Sequence, residues 1–291
     1  DTLSLHDALP ISRYVSKCEF IYAEKTAREA EGEKLIFCGA RTKESNDPKD
    51  NPWKLVGSTN FFEDSVTHVD DMQDFAIMSE YIIVAAKDNK DELTLKSSVD
   101  GKTFANALFP SNFRIPHQHG YTVLDSSTHS IFLHATVDTT TDLEYGGIIK
   151  SNSNGTSYVL SLNGVNRDRP GFVDFEKMSQ LEGVALANVV TNYETASKDG
   201  HKTLKTMITH NDGAEWRYIT PPAKDVEGKK FSCSGNLGKC SLNVHGYTER
   251  MDKSHIYSSP SAVGIMLAVG NVGESLQPFD KSDTRSEERR V

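Results

Sequence analysis

The sequence predicts an all-β fold made of propeller blades, and three observations carry that expectation. Much of the chain is a succession of short runs rich in β-branched and aromatic residues, separated by polar or Asp-rich breaks. One turn signature returns three times among them. The interval between returns is that of a four-stranded blade, the repeat length at which propellers and similar arrays are built.

The runs fall into cycles. Residues 74–79, 81–87, 92–98 and 104–109 form the first, and 121–126, 130–137, 145–151 and 157–162 the second. A third contains 183–191, 203–210 and 216–220. Residues 24–33 alone lean helical; they are Ala/Glu-rich and short, and read as a loop or a single turn.

The signature is the Asp-box pattern, Ser/Thr-x-Asp/Asn-x-Gly-x-x-aromatic. Its first copy is Ser98-Val-Asp100-Gly101-Lys-Thr-Phe104, one residue short between Asp and Gly. The second is Ser151-Asn-Ser153-Asn-Gly155-Thr-Ser-Tyr158, with Ser153 at the Asp position. The third, Thr209-His-Asn211-Asp-Gly213-Ala-Glu-Trp216, fits throughout. Asp100 and Ser153 are 53 positions apart, Ser153 and Asn211 58. Such a box closes the hairpin between the third and fourth strands of a blade. Its short polar side chains hydrogen-bond the turn backbone, glycine takes the positive φ, and the aromatic buries its face between sheets. Asp100 and Asn211 are therefore structural residues and no candidates for catalysis.

Composition sets the outer limits. The 291 residues carry a formal charge of −9, well mixed along the chain, which argues against nucleic acid as a partner. No apolar run approaches a membrane span. The length suits one large β domain or two small ones. Four cysteines form two local pairs, Cys18 with Cys38 and Cys233 with Cys240, and no CxxC occurs. Local pairs in polar loops fit disulfides, hence an oxidising compartment, better than zinc.

Residues 1–11 (DTLSLHDALPI) and 285–291 (RSEERRV) resemble translated sequencing-adapter oligonucleotide. They are expected to be foreign to the fold, leaving 12–284 as native sequence cut at both ends.

Few constellations suggest chemistry. Phe113-Arg114-Ile115-Pro116 resembles a sialidase tetrapeptide, but there it precedes the boxes, and here a box comes first. Neither a Tyr–Glu pair nor a full arginine triad can be assigned, and Arg217, directly after a box aromatic, should point outward. His117 and His119 have no acidic or Cys neighbour to complete a metal site. No metal, cofactor or catalytic residue is expected. Asn154-Gly-Thr156 is the one N-glycosylation sequon.

The sequence after the last box carries a family resemblance. Lys229-Lys-Phe-Ser-Cys233, Cys240-Ser-Leu-Asn-Val-His245-Gly-Tyr-Thr-Glu-Arg250 and the run from Ser258 to Gly273 resemble the sortilin-like sorting receptors, the fungal vacuolar receptors above all. Trp53 to Phe62, Asn152 to Thr156 and Val173-Asp-Phe-Glu176 add to this, collinearly over 12–284. The resemblance implies a ten-bladed Asp-box propeller, about half of whose blades are present here. It also implies a membrane-anchored parent whose anchor lies outside this stretch, on the luminal side of Golgi and late endosome. The implied partners are soluble vacuolar hydrolases or their propeptides, and the implied activity is cargo binding and not catalysis. An arginine that grips a peptide carboxylate in this family aligns with Gly164; the nearest candidates are Arg167 and Arg169. The alternatives are a sialidase-like glycoside hydrolase and a non-catalytic adhesion or scaffold propeller.

Overall fold

The computed structural model describes residues 14–21, 35–41, 51–78, 81–88, 90, 92–111, 121–127, 129–138, 143–225, 227–231, 235–249, 257–258 and 261–278. The end strings, residues 24–33, the tetrapeptide 113–116, His117, His119, Cys233 and Arg250 lie outside them. The chain divides into two compact units, one of residues 1–118, 126–131 and 151–159, the other of 119–125, 132–150 and 160–291.

The first sheet runs in chain order: β1 (Val15–Phe20), β2 (Ile36–Ala40), β3 (Trp53–Ser58), β4 (Val66–Met78), β5 (Tyr81–Lys87), β6 (Leu93–Ser98) and β7 (Ala105–Asn106). Strand β4 serves two repeats. Val66, Thr67 and Val69 pair with β3, whereas Asp74 to Met78 pair with β5. The ladder breaks between them, and Asp71 takes a φ of 51° there. Four strands on one side of the break (β1, β2, β3 and the start of β4) and four on the other (the end of β4, β5, β6 and β7) make two blade-like units. Strand β5 reads Tyr-Ile-Ile-Val-Ala-Ala-Lys because both of its faces are covered. Ile82, Val84 and Ala86 join Phe37, Leu55, Val69, Met72 and Phe75 in one cluster. Each of these side chains larger than alanine contributes about 1.5–3 kcal/mol on burial.

Cys18 and Cys38 stand opposite each other across β1 and β2 and are joined by a disulfide with Cα atoms 4.2 Å apart. The bond borders a second cluster of Ile36, Val56 and Phe62. Cys240 is also disulfide-bonded.

The second sheet contains β8 (Tyr121–Ser127), β9 (Ser130–Asp138), β10 (Tyr145–Ser151), β11 (Tyr158–Asn166), β12 (Phe175–Lys177), β13 (Ala185–Val190), β14 (Leu204–Thr209) and β15 (Arg217–Tyr218). A four-residue helix, α1 (Ala196–Asp199), joins β13 to β14 and ends on Gly200 at φ 72°. Strand β11 is the counterpart of β4. It lies beside β10, and past a bend at Gly164, φ 71°, its Val165 pairs with Val189 of β13. A Cβ on Gly164 would come within 3.1 Å of the Tyr193 ring and 3.2 Å of the Val190 carbonyl. Left-handed backbone and crowding together explain why glycine stands where the family resemblance places an arginine. Beyond β15, β16 (Ser241–Val244) pairs with β19 (Gly270–Gly273), and β17 (Tyr257–Ser258) with β18 (Met266–Leu267).

Candidate functional site

Every box turn sits between the third and fourth strand of its repeat, as the motif requires. In the first expected copy, Ser98 Oγ accepts from the Gly101 amide at 3.0 Å. Asp100 Oδ1 accepts from the amides of Lys102 and Thr103 at 2.8 and 2.7 Å and from the Ser98 hydroxyl at 3.0 Å. Burial pushes the Asp100 carboxyl up, but these donors outweigh it and leave its pKa lowered. Phe104 stacks edge-on against Phe37 and lies 5.3 Å from His68.

In the third copy, Thr209 Oγ1 accepts from the Gly213 amide at 2.9 Å and Asn211 Oδ1 from the Glu215 amide at 2.9 Å. Gly213 has φ 76°, and the Trp216 indole donates to Ser161 Oγ at 3.0 Å.

The second copy corrects the expectation for Ser153. The acceptor is Asn152, whose Oδ1 takes the amides of Thr156 and Ser157 at 2.9 and 3.1 Å. Ser153 presents only its carbonyl, to the Tyr81 hydroxyl at 3.1 Å. Asn152 has the longer side chain and an oxygen fixed in the amide plane, so the turn closes on it one residue early. Gly155 keeps φ 69°, and Tyr158 is buried with its ring 5.1 Å from Phe109.

A fourth box went unread in the sequence. Ser58 Oγ accepts from the Phe62 amide at 2.8 Å and Asn60 Oδ1 from the Asp64 amide at 3.0 Å, between β3 and β4. Phe61 and Phe62 hold φ of 56° and 66°, close to the 57° and 76° of Asp212 and Gly213. Phe62 stands at the glycine position. Its left-handed backbone costs on the order of 1–3 kcal/mol, which its ring offsets by burial in the cluster beside Cys38.

The two candidate arginines are placed differently. Arg167 follows β11 and bridges to Val173 across a turn held by Asp168, which accepts the Phe172 amide at 2.7 Å. Its side chain is turned inward: 6% exposed, donating to Thr136 Oγ1 at 2.5 Å and lying 3.7 Å from Glu144 Oε2. Gly171, at φ 100°, lies over its guanidinium. Arg169 is exposed at the tip of the same turn. Of the two, only Arg169 faces solvent.

Under that turn lies a buried polar cluster. Lys202 Nζ donates to the Glu144 carbonyl, the Arg167 carbonyl and Asn166 Oδ1 at 2.6, 2.7 and 2.9 Å. Burial lowers its pKa, against the pull of Asp174, Glu144 and Asp168. His134 is fully enclosed, with Nε2 3.3 Å from the Val165 carbonyl. Burial, aided by the charges of Arg167 and Lys202, depresses its pKa to about 3, so the ring is neutral.

Asp174 organises the rest. Its Oδ2 accepts from Asn166 Nδ2, Asn188 Nδ2 and Thr248 Oγ1 at 2.9, 3.2 and 3.0 Å, and its Oδ1 from the Thr248 amide at 2.8 Å. Burial raises its pKa even against four donors. Thr206 and Asn188 carry the network to β16. The Val244 amide donates to Thr206 Oγ1 at 2.8 Å, the Thr206 amide to Asn243 Oδ1 at 3.1 Å, and Asn188 Nδ2 to the Val244 carbonyl at 3.1 Å. A Cβ on Gly246 would fall inside the Asp174 carboxylate. The segment from Ser241 to Thr248 is thus clasped to β13 and β14 by side chains. Sequence reading missed the clasp, although part of its signal was present: Asn188 interrupts the otherwise apolar β13, and Asn166 ends β11 on a buried position.

Among the described residues, no group of three or more His, Cys, Asp or Glu is placed to hold a metal ion. Arg217 points outward beside Glu215, as expected of the residue after a box aromatic.

These repeats, boxes and clasped segment define an Asp-box, propeller-type chain, and the chain belongs to the Sortilin-Vps10 family, described as "Sortilin, neurotensin receptor 3", which matches residues 4–284. Two curated relatives bear the name vacuolar protein sorting/targeting protein 10. The one from Aspergillus terreus is 56% identical over 91% of this chain, and the one from Coccidioides posadasii 53% identical over 94%. In both cases the chain spans 18% of the relative's length. Among solved structures, an α-L-arabinofuranosidase of Podospora anserina crystallised with cellotriose aligns at 12% identity over 79% of this chain and 75% of its own, with a TM-score of 0.29, too low to carry an argument.

Proposed function

We propose that this chain is part of the luminal, cargo-binding region of a membrane-anchored sorting receptor that carries soluble hydrolases from Golgi to vacuole. The observation that carries the reading is the collinear Sortilin-Vps10 match along nearly the whole chain, together with relatives named for vacuolar sorting at more than half identity. The receptor recognises an extended segment of cargo, such as a hydrolase propeptide, and performs no catalysis on it. Residues 12–284 supply about half the blades of a ten-bladed propeller. Arg169 is the ligand contact, and Arg167 braces its turn from beneath. A guanidinium meets a carboxylate with two charge-assisted hydrogen bonds, which suits an acidic side chain or a chain terminus of the cargo.

The test is a titration of the parent's full luminal region with a hydrolase propeptide. Arg169→Ala is expected to weaken binding at least about tenfold, equivalent to about 1.4 kcal/mol. Arg167→Ala should lower stability more than it lowers affinity at saturating fold. Wild-type affinity in a folded Arg169→Ala protein would remove Arg169 from the site.

A further inference from the structure

We infer that Asn154 is a glycan attachment point built into the second box turn, an asparagine-linked oligosaccharide being the group it carries. The inference rests on the luminal reading above, because the modification requires passage through the secretory pathway. What supports it beyond the sequon is a comparison of the residue that precedes the box glycine in four turns, the first of which is one residue shorter and uses that residue as its acceptor. The residue just before the box glycine is Asp100 in one, where three donors occupy its carboxylate. It is Asp212 in another, where the side chain is tied to Lys150 Nζ at 2.5 Å. In the degenerate box the equivalent is Phe61, which has no polar group. Asn154 stands at that position in the second box, and there the acceptor role has passed to Asn152.

The displacement of the acceptor leaves the Asn154 amide with no part in closing the turn. The side chain is exposed, while Ser151, Gly155 and Tyr158 around it are buried. The turn is fixed from below by the Gly155 amide on the Asn152 carbonyl at 3.0 Å and by Tyr81 on the Ser153 carbonyl. A glycan on Nδ2 therefore replaces no internal hydrogen bond and displaces no packed group. Thr156 supplies the hydroxyl of the sequon, and its amide is held by Asn152. A sugar at this place makes the box-turn edge of the second repeat a solvent face in the mature receptor, which directs cargo to other surfaces.

The experiment is secretion of the parent's luminal region from a eukaryotic host behind an unrelated leader, followed by peptide mapping with and without endoglycosidase. Glycan is expected on the peptide that contains Asn154, lost in Asn154→Gln and Thr156→Ala and kept in Thr156→Ser. Asn154→Gln should melt like the unglycosylated wild-type protein and bind propeptide as wild type does. An unmodified Asn154 in folded, secreted wild-type protein overturns the inference. Occupancy is read independently of cargo: an empty Asn154 with intact propeptide binding sinks this inference alone, and an occupied Asn154 with no cargo binding sinks only the receptor reading.

Discussion

Asp174→Ala should lower the unfolding free energy of the folded protein by about 3–5 kcal/mol, because removing one partner of a buried charged network strands the others. Four donors converge on its carboxylate: Asn166, Asn188 and both the amide and hydroxyl of Thr248. Asp174→Asn keeps the shape but turns an amide donor toward other donors, so it should recover only part of the loss. Chemical denaturation of both variants measures this. A loss below about 1 kcal/mol for Asp174→Ala would place the clasp among ordinary surface polar contacts.

Acid should destabilise the protein through His134. Its folded pKa, about 3, lies below the ordinary 6.5, so the unfolded chain binds more protons between those values. Stability therefore falls as pH falls, approaching about 1.4 kcal/mol per pH unit well below 6.5, or about 2 kcal/mol in all between pH 6.5 and 4.5. Asp174 acts with the opposite sign. Its raised pKa favours the folded state at low pH, a contribution lost as pH rises through the folded value. The net slope mixes the two, so the variant comparison isolates His134. In His134→Leu the denaturation midpoint should vary less with pH over this window than in wild type. Parallel pH profiles for the two proteins would show that the buried ring does not set the slope. A Cβ on Gly146 would come within 2.5 Å of the His134 ring, so glycine there leaves room for the buried imidazole.

Much of this architecture was legible because local chemistry and fold agree there. The runs at 81–87, 145–151 and 203–210 became β5, β10 and β14, and the box turns fell between third and fourth strands. The first repeat was invisible for two physical reasons. The start of β4 is polar, Val-Thr-His-Val-Asp-Asp, because it is largely exposed and carries no alternating apolar face. Its box has Phe62 at the glycine position, so the strongest letter of the motif is missing although the turn geometry survives. Asn152 took the acceptor role from Ser153 because reach, and not position in a pattern, decides which side chain closes a turn. The inward course of Arg167 could not be read at all. Its partners, Thr136 and Glu144, are distant in sequence, and only the strand pairing brings them together. The clasp around Asp174 had a readable trace in Asn188, but a mid-strand asparagine does not say which carboxylate it faces.

The most direct measurement of the central claim is made in the organism that encodes the parent protein. Its gene is replaced by a form lacking residues 12–284, and a soluble vacuolar hydrolase is followed between vacuole and culture medium. The account predicts that the hydrolase is diverted to the medium and that restoring the full gene returns it to the vacuole. Normal vacuolar delivery without this region, with the truncated receptor present and correctly localised, would contradict it.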